Sequence, residues 1–328
     1  MTYRLGLLDK SPIAPGKTGA DALATTLAYA RAAEDLGYHR FWLAEHHGSL
    51  GLASAAPEIL IAHILAQTRR IRVGSGGVLL QHYAPYKVAE TFSVLATLAP
   101  GRVDLGIGKS PGGLPTATRA LQAELAEGSA RQLDRKLAEL DAWLKGPLRD
   151  ADIQPRAAVP AERFLLGGSA ASAEQAARLG WGFVHAGHQD GDRENTLSAL
   201  DAYESIAGHR PALAIAAFAA PSRAEAEERV AGLAFVKVHL PDGHAVNLPD
   251  EAAAAEYARQ YGAAHYRVEH KRPTVIAGTG ADVREALATL QADLRVAEFI
   301  IDQPVAEHEA RLRSIELIAR AAPLRAAA

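Results

Sequence analysis

"IRVGSGGVLLQHYAPYKVAETFSVLATLAPGRVDLGIGKS", residues 71–110, is the stretch on which the fold turns. An apolar run at 71–80 gives way to a helical period, which stops at Pro100 and Gly101. A second apolar run follows at 102–107. Strand, helix and strand in that order make a βαβ unit, whose two strands run parallel. The first run carries Gly74, Gly76 and Gly77 at its centre. Glycine weakens a strand and packs nothing, so three of them in a core element need a reason.

The same alternation extends in both directions. Strands are expected near 3–8, 40–45, 71–80, 102–107, 163–167, 182–185, 212–218 and 297–302. Helical segments follow most of them. Residues 20–38 keep Leu23, Leu27, Ala30 and Leu36 on one stripe before Gly37, and Pro57 opens the helix after the second strand. Eight such repeats suit a closed (β/α)8 TIM barrel better than a doubly wound sheet. Residues 111–160 and 236–279 break the rhythm and read as insertions after strands four and seven, in one domain spanning 1–328. Neither insertion is expected to hold enough strands for a domain of its own.

Composition narrows the function. The 328 residues are 48% hydrophobic and contain no cysteine, so thiol catalysis and Cys-ligated metal are excluded. A net charge of -3 with interspersed signs offers no polybasic stripe, so neither nucleic acid nor membrane is an expected partner. There is no visible signal segment and no long apolar run, which makes the cytoplasm the expected location.

Phosphate-loop readings fail. "GKT" at 16–18 and "GKS" at 108–110 lack the required upstream glycine, which is replaced by Ser11 and Val103. "LAEHHGSL" ends the second strand, where a barrel places catalytic side chains. Neighbouring strand residues face opposite ways, so His46 and His47 do not share a metal ion, and only one need be functional. "LLGGSAASAEQAARLG" leaves the fifth strand and opens a helix; Gly168, Ser169 and Ser172 there form either an anion site or an ordinary serine cap. Lys109, after the fourth strand, is either a cation for that anion or a solvated loop residue. His63 and His82 read as structural or surface residues.

Taken together, "RFWLAEHH", "IRVGSGGVLL", "YKVAETFSVLATLAPGRVDLGIGKSPGG" and "LLGGSAASAEQAARLG" resemble, in order and spacing, the bacterial-luciferase-like flavin monooxygenases. "LLDKSPI", "ASAAPEILIAHI" and "HEARLRSIELIA" fit the branch called luciferase-family oxidoreductase group 1, or MsnO8-like. The resemblance implies a barrel that binds reduced FMN (FMNH2) at its C-terminal mouth. The FMNH2 comes from a separate NAD(P)H:flavin reductase, and one atom of O2 is transferred to a small organic substrate. It also implies a homodimer, and a non-proline cis peptide under the flavin ring, here joining Gly76 to Gly77.

By the same resemblance His46 is the catalytic histidine, and Lys109, Gly168, Ser169 and Ser172 surround the FMN phosphate, with no metal involved. Leu7, Leu79, Tyr83 and Trp181 are candidates for lining the pocket, and the second insertion for a lid. Departures exist: Gly108 replaces a reactive cysteine, Ala84 a second histidine and Gly48 an asparagine. They weaken light emission and an aldehyde substrate as expectations. A non-catalytic flavin-binding protein and an F420-dependent oxidoreductase are the alternatives on the same barrel.

Overall fold

The chain order in the computed structural model, which describes residues 3–110, 112–125, 132–188 and 191–321, follows the expected alternation. It begins β1 (Arg4–Asp9), α1 (Gly19–Asp35), β2 (Arg40–Leu43), α2 (Pro57–Gln67), β3 (Arg72–Ser75), β4 (Val78–Leu79), α3 (Pro85–Leu98) and β5 (Val103–Gly108). After α4 (Pro115–Gln122) and α5 (Leu133–Lys145) come β6 (Glu162–Gly167), α6 (Ala170–Leu179), β7 (Gly182–His185), α7 (Arg193–Ala207), β8 (Ala212–Ala219) and α8 (Arg223–Ala231). The second insertion holds β9 (Phe235–His239), β10 (Ala245–Leu248), α9 (Glu251–Tyr261) and β11 (Arg267–Lys271). β12 (Val275–Gly278), α10 (Gly280–Leu294), β13 (Glu298–Asp302) and α11 (His308–Arg320) complete it.

Parallel pairing runs from β1 through β2, β3, β5, β6, β7 and β8 to β13, and β13 returns to β1, closing the eight-stranded barrel. Strand alternation sorts its side chains into two cores. Leu8, Trp42, Ala44, Val184, Ala214 and Ile300 fill the lumen. Their neighbours in sequence, Leu7, Phe41, Leu43 and Ile301, pack outward with Tyr29, Ala30 and Ile315 of the helices. Period-two patterning on a sheet buried on both faces produces this division. Leu7 and Trp181 belong to the outer core, and the Trp181 indole donates to Asp141 at 2.8 Å. The expectation that these two line the pocket is therefore corrected.

Helix ends are set by local chemistry. Thr18 and Asp21 cap α1 reciprocally, as Thr279 and Asp282 cap α10. Pro57 and Pro85 occupy first-turn positions of α2 and α3, where the missing N–H costs nothing.

At the N-terminal end of the barrel a buried ionic knot closes the lumen. Asp104 accepts from Arg40 Nη1 at 2.6 Å, Trp42 Nε1 at 2.8 Å and Arg72 Nε at 2.9 Å, while Arg40 Nε reaches Glu298 at 2.6 Å. Ligand access is thus from the opposite, C-terminal mouth.

Two expectations need correcting. The strand expected at 71–80 is broken into β3 and β4 at a cis Gly76–Gly77 peptide bond. The second insertion is also more than a loop. β10, β9 and β11 form an antiparallel sheet with its own core of Val236, Val238, Leu240, Ala254 and Tyr257. Short alternating runs such as "FVKVH" carry too little apolar length to stand out as strands in sequence.

Candidate active site

The glycines that open the question are enforced by close approach. A Cβ on Gly76 would stand 2.6 Å from Leu8 Cδ1 and 3.1 Å from Trp42 Cβ, both lumen side chains. One on Gly77 would stand 2.7 Å from the backbone of Gly106 in β5. Any side chain here would displace the lumen core or the adjacent strand, so glycine is required. The pair therefore forms a bare stretch of backbone, with Gly76 against Leu8 and Trp42 and Gly77 against the β5 backbone.

Above that layer the alternation brings polar groups inward. Lys10 follows Leu8, and His46 follows Trp42 and Ala44. The His46 N–H donates to the Ser54 carbonyl at 2.9 Å, and its buried ring Nδ1 has no partner among the described residues. Burial foremost, then the positive charge of Lys10, lowers the pKa of His46 to about 4. The imidazole is therefore neutral at pH 7 and keeps a lone pair for a proton.

His47 behaves differently. Its Nε2 donates to Glu45 Oε1 at 2.7 Å, and the same oxygen accepts the Tyr83 hydroxyl at 2.6 Å. Glu45 Oε2 accepts the Leu79 N–H at 3.0 Å. A buried carboxylate thus ties the strand end carrying both histidines to the segment just past the glycine pair. The position of Glu45 beside the histidines was visible in sequence, but this clamping role was not.

The remaining expected residues gather around the start of α6. Ser169 caps the helix and accepts the Ser172 N–H, and the two hydroxyls lie 3.1 Å apart. Beside Gly168 there is open space where a side chain would stand, while its carbonyl accepts from Asn195 at 2.8 Å. Lys109 lines a cleft of about 400 Å³ with Asp134 of α5 and Ala171, Glu174, Gln175 and Arg178 of α6. Burial lowers its pKa, and Asp134 opposes that shift. Among the described residues Lys109 has no ion-pair or hydrogen-bond partner. A helix N-terminus with two hydroxyls and an open glycine fits the phosphate of a flavin nucleotide, with the Lys109 cleft beside Ala171 of the same first turn. The bare glycine backbone fits a flat ring.

The first insertion links this mouth to the second. Gly112 and Leu114 bond the backbone of His47 at 2.8 and 3.3 Å. Leu114 packs on the core of the three-stranded sheet, and the Thr116 hydroxyl donates to Gln260 of α9 at 2.6 Å. His63, exposed on α2, bonds Gln67, and the buried His82 bonds Gln122. The described residues contain no His, Asp and Glu grouping able to hold a metal ion, and no helix among them is long and apolar enough to cross a membrane.

A closed parallel barrel with its polar groups at the C-terminal mouth defines a TIM-barrel enzyme. The luciferase-like monooxygenase family model matches residues 3–297, and the chain belongs to that family. An N-acetyl-S-alkylcysteine monooxygenase of Bacillus subtilis (strain 168) is 41% identical, covering 97% of this chain and 98% of its own. The crystal structure of apo-MsnO8 superposes with a TM-score of 0.80 at 34% identity, over 99% of this chain and all of the other. The oxygenating constituent of Pseudomonas putida 3,6-diketocamphane monooxygenase, solved with FMN, shares the fold alone. Its TM-score is 0.70 at 19% identity, over 98% and 97% of the two chains.

Proposed function

We propose that the protein is the oxygenase component of a two-component, FMNH2-dependent monooxygenase. It receives reduced flavin from an NAD(P)H:flavin reductase and delivers one atom of O2 to a small organic substrate, the other leaving as water. The observation that carries this reading is the neutral His46 just past β2, whose buried ring Nδ1 has no partner among the described residues.

Ser169, Ser172, Gly168 and Lys109 would hold the phosphate, and Gly76 and Gly77 would carry the ring. Bound flavin supplies the reducing electrons and the oxygen chemistry. His46 takes or returns a proton at Nδ1. Glu45 keeps His47 and Tyr83 fixed, so that of the two adjacent histidines His46 is the one left with an unpartnered ring nitrogen among the described residues. The sheet of the second insertion, resting on Leu114, serves as a lid that keeps water from the reacting centre.

The relative at 41% identity is named for an S-alkylated, N-acetylated cysteine, which makes a thioether a reasonable first substrate. The assay combines the protein, FMN, a flavin reductase, NADPH and N-acetyl-S-benzylcysteine under isotopically labelled dioxygen. One labelled oxygen in the product is expected. FMN and FMNH2 both failing to bind would overturn the assignment, as would bound FMNH2 yielding only hydrogen peroxide across a thioether, ketone and aldehyde panel.

A further inference from the structure

The lumen holds an ion pair for which the reading above has no use. Lys10, just past β1, donates from Nζ to Asp302 Oδ2 at the end of β13, 2.7 Å away. The two strands stand in register with Leu8 beside Asp302, and the residues one lumen layer below the pair are Leu8 and Ile300. Asp302 is nearly buried, its side chain 7% exposed, whereas the Lys10 side chain is 34% exposed. The carboxylate is thus the fixed foot, and the ammonium is the end that reaches open space. Its two other N–H groups have no partner among the described residues.

The backbone around Lys10 is equally fixed. Its carbonyl accepts the Ser54 hydroxyl at 3.0 Å, and the Ser54 carbonyl accepts the His46 N–H at 2.9 Å. One buried serine therefore sets Lys10 and His46 in a common frame. Beside Asp302 on the other side lies Ala216, with Ala214 below it, so the side chains flanking the carboxylate on that strand are small.

Stability alone does not account for this pair. Two charges over an apolar layer cost desolvation, and apolar residues of similar volume commonly serve the fold as well or better. The pair also stands at the C-terminal ends of two barrel strands, where barrels place ligand-binding groups.

We propose that Lys10 is the anchor for a carboxylate on the organic substrate, with Asp302 as its positioning residue, so that the enzyme selects carboxylate-bearing substrates. The inference rests on the lumen being the oxygenation site. The ammonium keeps one bond to Asp302 and gives its remaining donors to the substrate carboxylate. The oxidisable part of the molecule then lies toward His46 and the glycine pair.

The test compares N-acetyl-S-benzylcysteine with its methyl ester, by calorimetric binding to FMN-loaded protein and by kcat/KM in the reductase-coupled assay. A charged hydrogen bond of this kind corresponds to about a 10- to 100-fold preference for the acid. Lys10→Met combined with Asp302→Leu removes both charges without stranding either, and circular dichroism with a thermal melt reports its folding. In that variant the preference is expected to vanish through weakened acid binding. Lys10→Arg is expected to restore most of it.

Equal affinity for acid and ester in the wild type, a preference that survives the double variant, or FMN-loaded protein that binds no acid would each overturn the inference. FMN affinity is measured separately by fluorescence quenching. Protein that binds no flavin sinks the functional reading and this inference together; flavin bound without acid preference sinks the inference alone.

Discussion

His47 Nε2 lies 2.7 Å from Glu45 Oε1, and this bond decides which of two adjacent histidines is free to react. Glu45 is buried and also holds Tyr83 and the Leu79 N–H, so it fixes the mouth of the barrel from below. Its replacement by alanine leaves three donors without an acceptor. A loss of about 2–4 kcal/mol is expected, read as a lower urea midpoint at unchanged slope. Unchanged stability would show that the cluster holds nothing together.

His46 gives a pH signature. Its pKa is lowered to about 4, chiefly by burial, from an unfolded value near 6.5. Between those values the unfolded chain binds the proton and the folded one does not. Stability is therefore full above about pH 6.5 and falls as the pH drops toward about 4, by up to about 3 kcal/mol. His39, also lowered to about 4 mainly by burial, adds a fall in the same window. Denaturation midpoints of His46→Gln and wild type, measured from neutral pH down to the onset of acid unfolding, should differ in slope. The acid limb of kcat/KM should follow the low pKa, not that of a free histidine. An acid limb near neutrality would contradict a buried neutral base.

The phosphate cradle predicts a graded series. Lys109→Ala should raise the Kd for FMN about tenfold, Lys109→Arg should retain most affinity, and Ser169→Ala should cost less because Ser172 remains. Riboflavin, which lacks the phosphate, should be indifferent to all three changes. Equal losses for riboflavin and FMN would mean that these residues shape the fold and not the anion site.

At the closed end of the barrel, Asp104 is the common acceptor for Arg40, Arg72 and Trp42. Asp104→Ala strands a buried guanidinium, and about 3–5 kcal/mol of destabilisation is expected, visible as a lower thermal midpoint. Because the knot is remote from the mouth, FMN affinity of the folded fraction should be unaltered.

Ile59 of α2 and Leu98 of α3 are 66% and 72% exposed. A homodimer through these helices is the expected assembly. Light scattering should give twice the chain mass for wild type and the chain mass for Ile59→Glu combined with Leu98→Glu. A monomeric wild type would remove this face from consideration.

Period-two runs, helix stripes and the stop signals at Gly37, Pro100 and Gly101 determine the eight strands and most of the helices locally, and the sequence carries them directly. Strand-end placement of His46 follows from the same local rules, whereas the close approach that requires Gly76 and Gly77 comes from Leu8, Trp42 and Gly106 on other strands. Contacts between elements distant in sequence do not follow from local rules. That Lys10 meets Asp302, that Asp104 ties three strand starts together, and that Leu114 joins the two insertions are decided only when the barrel closes. A strand's pattern fixes which face each side chain takes, but ring closure fixes what it finds there.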